Sequence, residues 1–138
     1  MQITHQADYA IRTMYYLARL KPDQKVSTRQ IAGEYHIPAS FLTKIISQLS
    51  VAGLIHTSRG ASGGVSLAHP ADKISMLDVL EAVDGPVGLN ECVNDPESCP
   101  FSNNCVLHRF WSDASQELID RLRSTTFDQL ITSGPLFV

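Results

Sequence analysis

Residues 27–67 read STRQIAGEYHIPASFLTKIISQLSVAGLIHTSRGASGGVSL, and they predict most of the architecture. Ser27 stands three residues before a glutamine at the start of an apolar run, which is the pattern of a helix capping box, and the helix that follows should end near Tyr35. Pro38 suits the first turn of a further helix at about residues 39–52, whose apolar side chains recur at i, i+3, i+4 and i+7. Two helices joined by so short a turn indicate a helix-turn-helix.

A glycine-rich turn between two short β-prone runs follows directly. Residues 54–58 and 65–67 favour strands, and Arg59-Gly60-Ala61-Ser62-Gly63-Gly64 between them is typical of a hairpin turn. The turn matches neither of the glycine-rich nucleotide-binding motifs, so a phosphate-cradling loop has little support. A helix-turn-helix followed by a hairpin predicts a winged helix.

The rest of the chain adds helices on both sides of this unit. A first helix is expected at about residues 7–20, and a short linker helix opens the second half with a Ser-x-x-Asp start. We therefore expect a mainly α fold with a small β-hairpin. Its winged helix-turn-helix DNA-binding domain spans residues 1–73, and residues 74–138 hold the linker helix, a cysteine cluster-binding loop (about 86–105) and a long C-terminal dimerisation helix (about 106–124).

The long helix carries one apolar stripe, made of Leu107, Phe110, Trp111, Ala114, Leu118 and Leu122. Packing against the same helix of a second chain would bury this stripe in a C2 dimer and place two recognition helices on one duplex. An intramolecular core helix packed back on the first helix is the alternative, and the two arrangements are compatible.

Charge is segregated along the chain. The net charge of −3 seems to disfavour a nucleic-acid partner, because DNA phosphates attract basic surfaces. Residues 1–73, however, hold eight basic and four acidic residues, whereas residues 74–138 hold three basic and ten acidic ones. Only the first half is therefore expected to face double-stranded DNA.

Candidate DNA contacts lie at the start of the second helix, on the polar face of the third helix and in the hairpin turn. They are Ser27, Thr28, Arg29, Ser40, Thr43, Lys44, Ser47, Arg59, Gly60 and Ser62. Because the third helix offers a single lysine and several hydroxyls, specificity should depend partly on the wing and on dimer spacing.

Three cysteines fall in one short stretch and are followed by a histidine, as Cys92, Cys99, Cys105 and His108. An odd number of cysteines argues against a disulfide framework, while thiolate and imidazole ligands suit an iron–sulfur cluster, zinc or copper. Cys105 and His108, at i and i+3 near a helix start, share one face. Iron–sulfur ligation tolerates this wide spacing, whereas a structural zinc site usually has a closer pair of cysteines. Three free thiols beside a histidine that binds no metal are the third interpretation.

No catalytic arrangement, signal peptide or membrane span is evident. The apolar runs are shorter than the roughly 18 to 20 residues that a bilayer requires, and residues 1–20 carry His5, Asp8, Arg12 and Arg19. We expect a cytoplasmic, non-enzymatic protein with no membrane partner and no small-molecule substrate.

Several motifs together resemble the Rrf-type winged-helix transcriptional regulators, the family of the IscR-like and NsrR-like iron–sulfur cluster-sensing regulators. They are Met1-Gln2-Ile3-Thr4, Asp8-Tyr9-Ala10-Ile11-Arg12, the helix-turn-helix, the wing turn and the clustered cysteines. The resemblance implies a homodimer that binds a DNA operator, with repression as the expected mode. It also implies an affinity controlled by an iron–sulfur cluster on the three cysteines, which senses iron–sulfur status, redox state or nitric oxide.

The resemblance suggests two alternatives for the fourth cluster ligand. Cys105-Val106-Leu107-His108 resembles the IscR type and assigns His108 to a [2Fe–2S] cluster, which we favour. The N-terminal motif is similar to the NsrR type and would assign Asp8 of the other subunit to a [4Fe–4S] cluster. A winged-helix protein with structural zinc, or a thiol redox protein without cluster sensing, is the alternative function.

Overall fold

A helix-turn-helix and an antiparallel hairpin follow each other along the chain, so the predicted winged helix is confirmed. The computed structural model describes residues 2–136. Its elements are α1 (His5–Ala18), α2 (Thr28–Glu34), α3 (Ala39–Val51), β1 (Ile55–Ser58), β2 (Gly64–Leu67), α4 (Met76–Asp84), α5 (Glu91–Asn94), α6 (Val106–Ser124) and α7 (Phe127–Ser133), with 3-10 turns at Ala71–Lys73, Pro96–Ser98 and Ser102–Asn104.

The cap of α2 forms only in part. The Ser27 hydroxyl accepts from the Gln30 backbone N–H at 3.1 Å, as the sequence predicts. The Gln30 side chain does not return to Ser27, because its amide donates to Glu34 one turn ahead at 3.0 Å. A reciprocal capping box does form at α4, where the Ser75 hydroxyl and the Asp78 carboxylate satisfy each other's backbone amides.

The wing contains one more pairing than the hairpin predicts. β1 and β2 pair antiparallel, and Val26, which precedes α2, forms an isolated bridge to Val65 of β2. Gly64 makes this approach possible: it has φ +150°, and a Cβ there would lie 2.8 Å from the Val26 carbonyl oxygen. The root of the wing is thus fixed to the segment that leads into the helix-turn-helix.

The core extends across the boundary proposed at residue 73. α1 packs against α3, α4 and α7, and its Met14 is fully buried. Ile74, Val79 and Phe127 join the same apolar cluster from the second half of the chain. The division at residue 73 stays a prediction about roles, since the packing is continuous there.

Helix α7 is absent from the sequence-based prediction. It begins with a capping box between Thr126 and Gln129, and Phe127 is 1% exposed against the core. An isolated bridge between Ser75 and Thr126 aligns it beside the start of α4. The capping pattern was readable in the sequence, but the seven-residue helix is too short for a clear periodicity.

The apolar stripe of α6 divides in two. Leu118 and Leu122 in its second half pack within the chain against a cluster formed with Leu77 and Leu80 of α4. Leu107 and Phe110 in its first half are 62% and 59% exposed. The second half of the helix therefore packs within the chain, but chiefly on α4 and not on the first helix as the alternative proposed. The first half leaves an apolar surface open. None of the helices within the described residues is long and apolar enough to cross a membrane.

Candidate nucleic-acid interface and metal centre

The polar face of α3 lies on the surface. Leu42, Ile45 and Leu49 are buried, and the four predicted contacts of this helix are all exposed: Ser40, Thr43, Lys44 and Ser47. Thr43 donates its hydroxyl proton to the Ala39 carbonyl at 3.0 Å, so towards a base it offers mainly acceptor lone pairs. Lys44 has an exposed ammonium group available for a phosphate.

The remaining predicted DNA contacts are exposed as well. They are Ser27, Thr28 and Arg29 at the start of α2, and Arg59, Gly60 and Ser62 in the wing turn. Gly60 has φ +95°, and a Cβ on Gly63 would lie 2.4 Å from the Ser58 carbonyl oxygen, so the turn needs its glycines. The surface positions suit backbone-phosphate contacts, and the specific assignments stay a prediction.

Two residues beside this surface were not singled out from the sequence. Lys25 Nζ donates to Ser58 Oγ at 3.3 Å and so lies against β1 of the wing. Phe41 on the first turn of α3 is 44% exposed and contacts Tyr9 edge-on at 5.7 Å between ring centroids. Lys25 reaches the wing through the distant Val26–Val65 pairing, which no local pattern indicates.

The three cysteines and His108 line one cavity of about 380 Å³ between α5, the 3-10 turns at Pro96–Ser98 and Ser102–Asn104, and the start of α6. The cysteines are free thiols and partly exposed. Cys105 is the residue before α6, and the Arg109 backbone N–H donates to its carbonyl at 3.2 Å. This position sets Cys105 and His108 one helical turn apart on the face that borders the cavity.

The donor atoms in this cavity have unmet bonding capacity. His108 Nδ1 and Ser102 Oγ are buried and have no hydrogen-bond partner within residues 2–136. Nε2 of His108 has a contact of 3.5 Å with Ser112 Oγ. Buried polar atoms are normally satisfied, so an unpartnered imidazole nitrogen beside three thiols fits a site that binds a soft or borderline metal group.

The same residues do not form a ready site for a single ion. Within the described part of the chain, no three His, Cys, Asp or Glu side chains are arranged to hold one metal ion. Asp8 lies outside the cavity lining, on α1, where its carboxylate pairs with Arg12 at 2.7 Å. The choice of His108 over Asp8 stays a prediction.

Side-chain hydrogen bonds hold the cavity segment onto its neighbours. The Leu89 backbone N–H donates to Ser115 Oγ of α6 at 3.0 Å, and Ser115 is 1% exposed. Asn94 of α5 donates to the Pro86 carbonyl at 3.1 Å. The segment is therefore attached to the middle of α6 and folds back on its own start just after α4.

One glutamine connects the recognition helix with the end of α4. Gln48 of α3 accepts a hydrogen bond from the Gln6 side chain, and its own amide contacts the Val83 carbonyl at 3.5 Å. Beside it, Thr4 donates to Asp84, whose carboxylate oxygens lie 2.9 and 3.0 Å away. The end of α4 leads directly into the cysteine segment, so these contacts join the two candidate sites.

Comparison with known proteins decides the family. A family model described as Rrf2, an iron-dependent transcriptional regulator, matches residues 3–133. The chain belongs to the Rrf2 family. A putative HTH-type transcriptional regulator of Aquifex aeolicus is 34% identical to this Rrf2 chain over 125 residues, which cover 89% of it and 86% of the relative.

Solved structures share the Rrf2 fold. CymR, the global cysteine regulator of B. subtilis, superposes with a TM-score of 0.80 at 24% identity and covers 98% of this chain and 99% of that one. IscR of T. potens gives a TM-score of 0.78 at 22% identity, with 96% and 88% covered. These two likenesses concern the fold. The family match and the Aquifex aeolicus relative confirm the predicted resemblance and identify a DNA-binding transcriptional regulator.

Proposed function

We propose that this Rrf2 protein is a homodimeric, cytoplasmic repressor whose operator affinity depends on an iron–sulfur cluster. The observation that carries the proposal is the convergence of Cys92, Cys99, Cys105 and His108 on one cavity. The cluster would report iron–sulfur status, redox state or nitric oxide.

The donor set favours a [2Fe–2S] cluster. Three thiolates and one imidazole match mixed cysteine and histidine ligation, and the unpartnered His108 Nδ1 offers the fourth donor. A cluster held there would supply an oxidisable link between the cysteine segment, residues 86–105, and α6. Asp8 of a second subunit with a [4Fe–4S] cluster is the alternative, and its pairing with Arg12 in the same helix counts against it.

A second copy of the chain is the expected partner for the open half of α6. Phe101, Val106, Leu107 and Phe110 are 71%, 73%, 62% and 59% exposed and lie at or near the start of this helix. Isologous packing of this surface would bury it and pair two recognition helices at the spacing of one duplex turn. The cysteine cavity would then adjoin the dimer interface.

Communication between the two sites can follow the contacts already described. The cysteine segment bonds to α6 through Ser115, and α4 before it contacts Gln48 of the recognition helix. A change in the order of the segment would bias the position of α4, and with it α3. This is a population shift between two dimer states that differ in operator affinity.

A thiol-based switch is the second candidate function. The same three free cysteines line one cavity, and the related fold of B. subtilis CymR belongs to a cysteine regulator. This candidate predicts disulfide chemistry and no acid-labile sulfide, whereas structural zinc predicts a metal without sulfide or visible absorption.

Anaerobic purification followed by iron, sulfide and visible-absorption analysis tests the proposal. We expect about two irons and two sulfides per chain in the wild type, and loss of most of this content in Cys105→Ser and His108→Ala. His69→Ala, which changes an exposed histidine away from this cavity, is the matched control and should keep the full content. Zinc or free thiols without sulfide would refute the cluster, and an unchanged His108→Ala content would refute the fourth ligand.

A further inference from the structure

A second cavity lies beside the wing sheet, at the end where β1 begins and β2 ends. The strand register pairs His56 with Ser66, and both face away from the core because the neighbouring Val65 is 3% exposed on the inner side. Lys25 donates from Nζ to Ser58 Oγ at 3.3 Å, two residues along the same strand from His56. These side chains therefore share one face of the sheet.

The walls of this cavity are built by ordered backbone. It has a volume of about 660 Å³ and is bordered by the turn at residues 21–24 and the segment at residues 68–71. The turn is locked by reciprocal bonds, in which the Gln24 N–H donates to the Lys21 carbonyl at 3.0 Å and the Lys21 N–H donates to Gln24 Oε1 at 3.1 Å. The volume falls in the range of about 300–1,000 Å³ usual for small-molecule sites.

The lining combines basic side chains with an apolar floor. Four basic side chains and a single carboxylate, that of Asp23, belong to this lining; the basic ones are Lys21, Lys25, His56 and His69. Neither lysine forms an ion pair within the described residues. The floor is made of Leu17, Leu20 and Leu67, which also belong to or pack on the core. An anionic head with a short apolar body would satisfy both parts.

We infer that this cavity binds a small organic anion, a carboxylate or phosphate ester with a short aliphatic body, as a second effector of the regulator. DNA is a poor occupant, because a duplex backbone cannot fill a concave pocket with an aliphatic floor. The bound anion would connect the turn at residues 21–24 with the sheet that carries Arg59. It would thereby fix the wing independently of the cysteine cavity.

Hexyl phosphate is a suitable probe for the full-length protein, with inorganic phosphate and hexan-1-ol as its polar and apolar parts. In ¹H–¹⁵N spectra we expect hexyl phosphate to shift the amides of residues 17–25 and 66–71, and each part alone to shift them far less at equal concentration. Lys25→Gln should weaken binding about tenfold, the loss expected for one charge-assisted hydrogen bond. Lys73→Gln, an exposed lysine outside the lining, should bind as the wild type does.

Three outcomes in the spectra would overturn the inference. They are the absence of shifts at these amides, equal shifts with inorganic phosphate, and shifts confined to α3 and the wing turn, which would mean that the anion merely occupies the DNA-facing surface. Equal weakening by the Lys25 and Lys73 substitutions would also reject the site, since it would indicate diffuse electrostatic attraction. None of these readouts depends on metal content.

Discussion

Replacing Gln48 by alanine should loosen the recognition helix from the end of α4. The substitution removes the acceptor of the Gln6 amide and the longer contact to the Val83 carbonyl at 3.5 Å. One good, partly buried hydrogen bond contributes about 1 kcal/mol, the long one less, and alanine regains a few tenths through helix propensity. The expected net loss is about 1 kcal/mol in the free energy of unfolding, or about 3–5 °C in Tm for a chain of this size.

Urea denaturation of the metal-free protein measures this loss. Gln116→Ala is the matched control, because Gln116 donates to Asp120 at 2.8 Å on the exposed face of α6 and should cost less than about 0.5 kcal/mol. Gln48→Ala should also bring the operator affinities of cluster-loaded and cluster-free protein closer together, since its contacts join α4 to α3. Equal urea midpoints for Gln48→Ala and Gln116→Ala, together with an unchanged ratio of the cluster-loaded to the cluster-free operator affinity, would refute the role of Gln48 in joining α4 to α3.

Three further predictions concern the DNA surface, the wing and the core. In filter-binding titrations, Lys44→Ala should weaken operator binding and reduce the slope of log affinity against log salt by about 1. Lys73→Ala is the control and should leave the slope unchanged. Equal slopes for the two variants would mean that Lys44 does not contact a phosphate. Gly64→Ala should destabilise the fold more than Gly60→Ala. A Cβ at residue 64 would lie 2.8 Å from the Val26 carbonyl oxygen, while the space around Gly60 is open. Thermal melts that rank the two variants otherwise would contradict the packing of the wing. Burial and the hydrogen bond that the Tyr16 hydroxyl donates to the Glu34 carboxylate raise the pKa of Tyr16 to about 12. The stabilising contribution of the phenol is therefore present below pH 10 and is lost as the pH rises from 10 towards 12. Tyr16→Phe should therefore make the alkaline fall in unfolding free energy shallower, and an identical fall would argue against the buried phenol.

Local sequence patterns were sufficient to predict the winged helix, because the residues that indicate each of its turns and caps lie within a few positions of one another. Ser27 caps α2, and the glycine turn joins β1 to β2 where the sequence places it. The Val26–Val65 bridge joins residues 39 positions apart, and only the folded chain brings them together. A sequence pattern cannot predict it, and the position of Lys25 beside the wing depends on it.

The second half of the chain was less readable for the same reason. α7 has a recognisable cap at Thr126, but the burial of Phe127 depends on the surface that α1 and α4 present to it. The stripe of α6 looked uniform, although Leu118 packs on the apolar cluster that includes Leu77, whereas Phe110 is mostly exposed. The spacing of the cysteines and His108 in the sequence indicated the cysteine site. Only the structure shows that the Nδ1 atom of His108 is buried without a hydrogen-bond partner among the described residues.

The central claim is that the state of the cysteine cavity sets the affinity of the winged helix for its operator. The most direct measurement is the operator dissociation constant of one anaerobic preparation before and after chelation of its iron, at fixed salt. A change of about tenfold or more, reversed by reconstitution and absent in Cys105→Ser, is the predicted result and corresponds to a coupling free energy of about 1.4 kcal/mol. Identical dissociation constants in protein shown to have lost its iron and sulfide would contradict it.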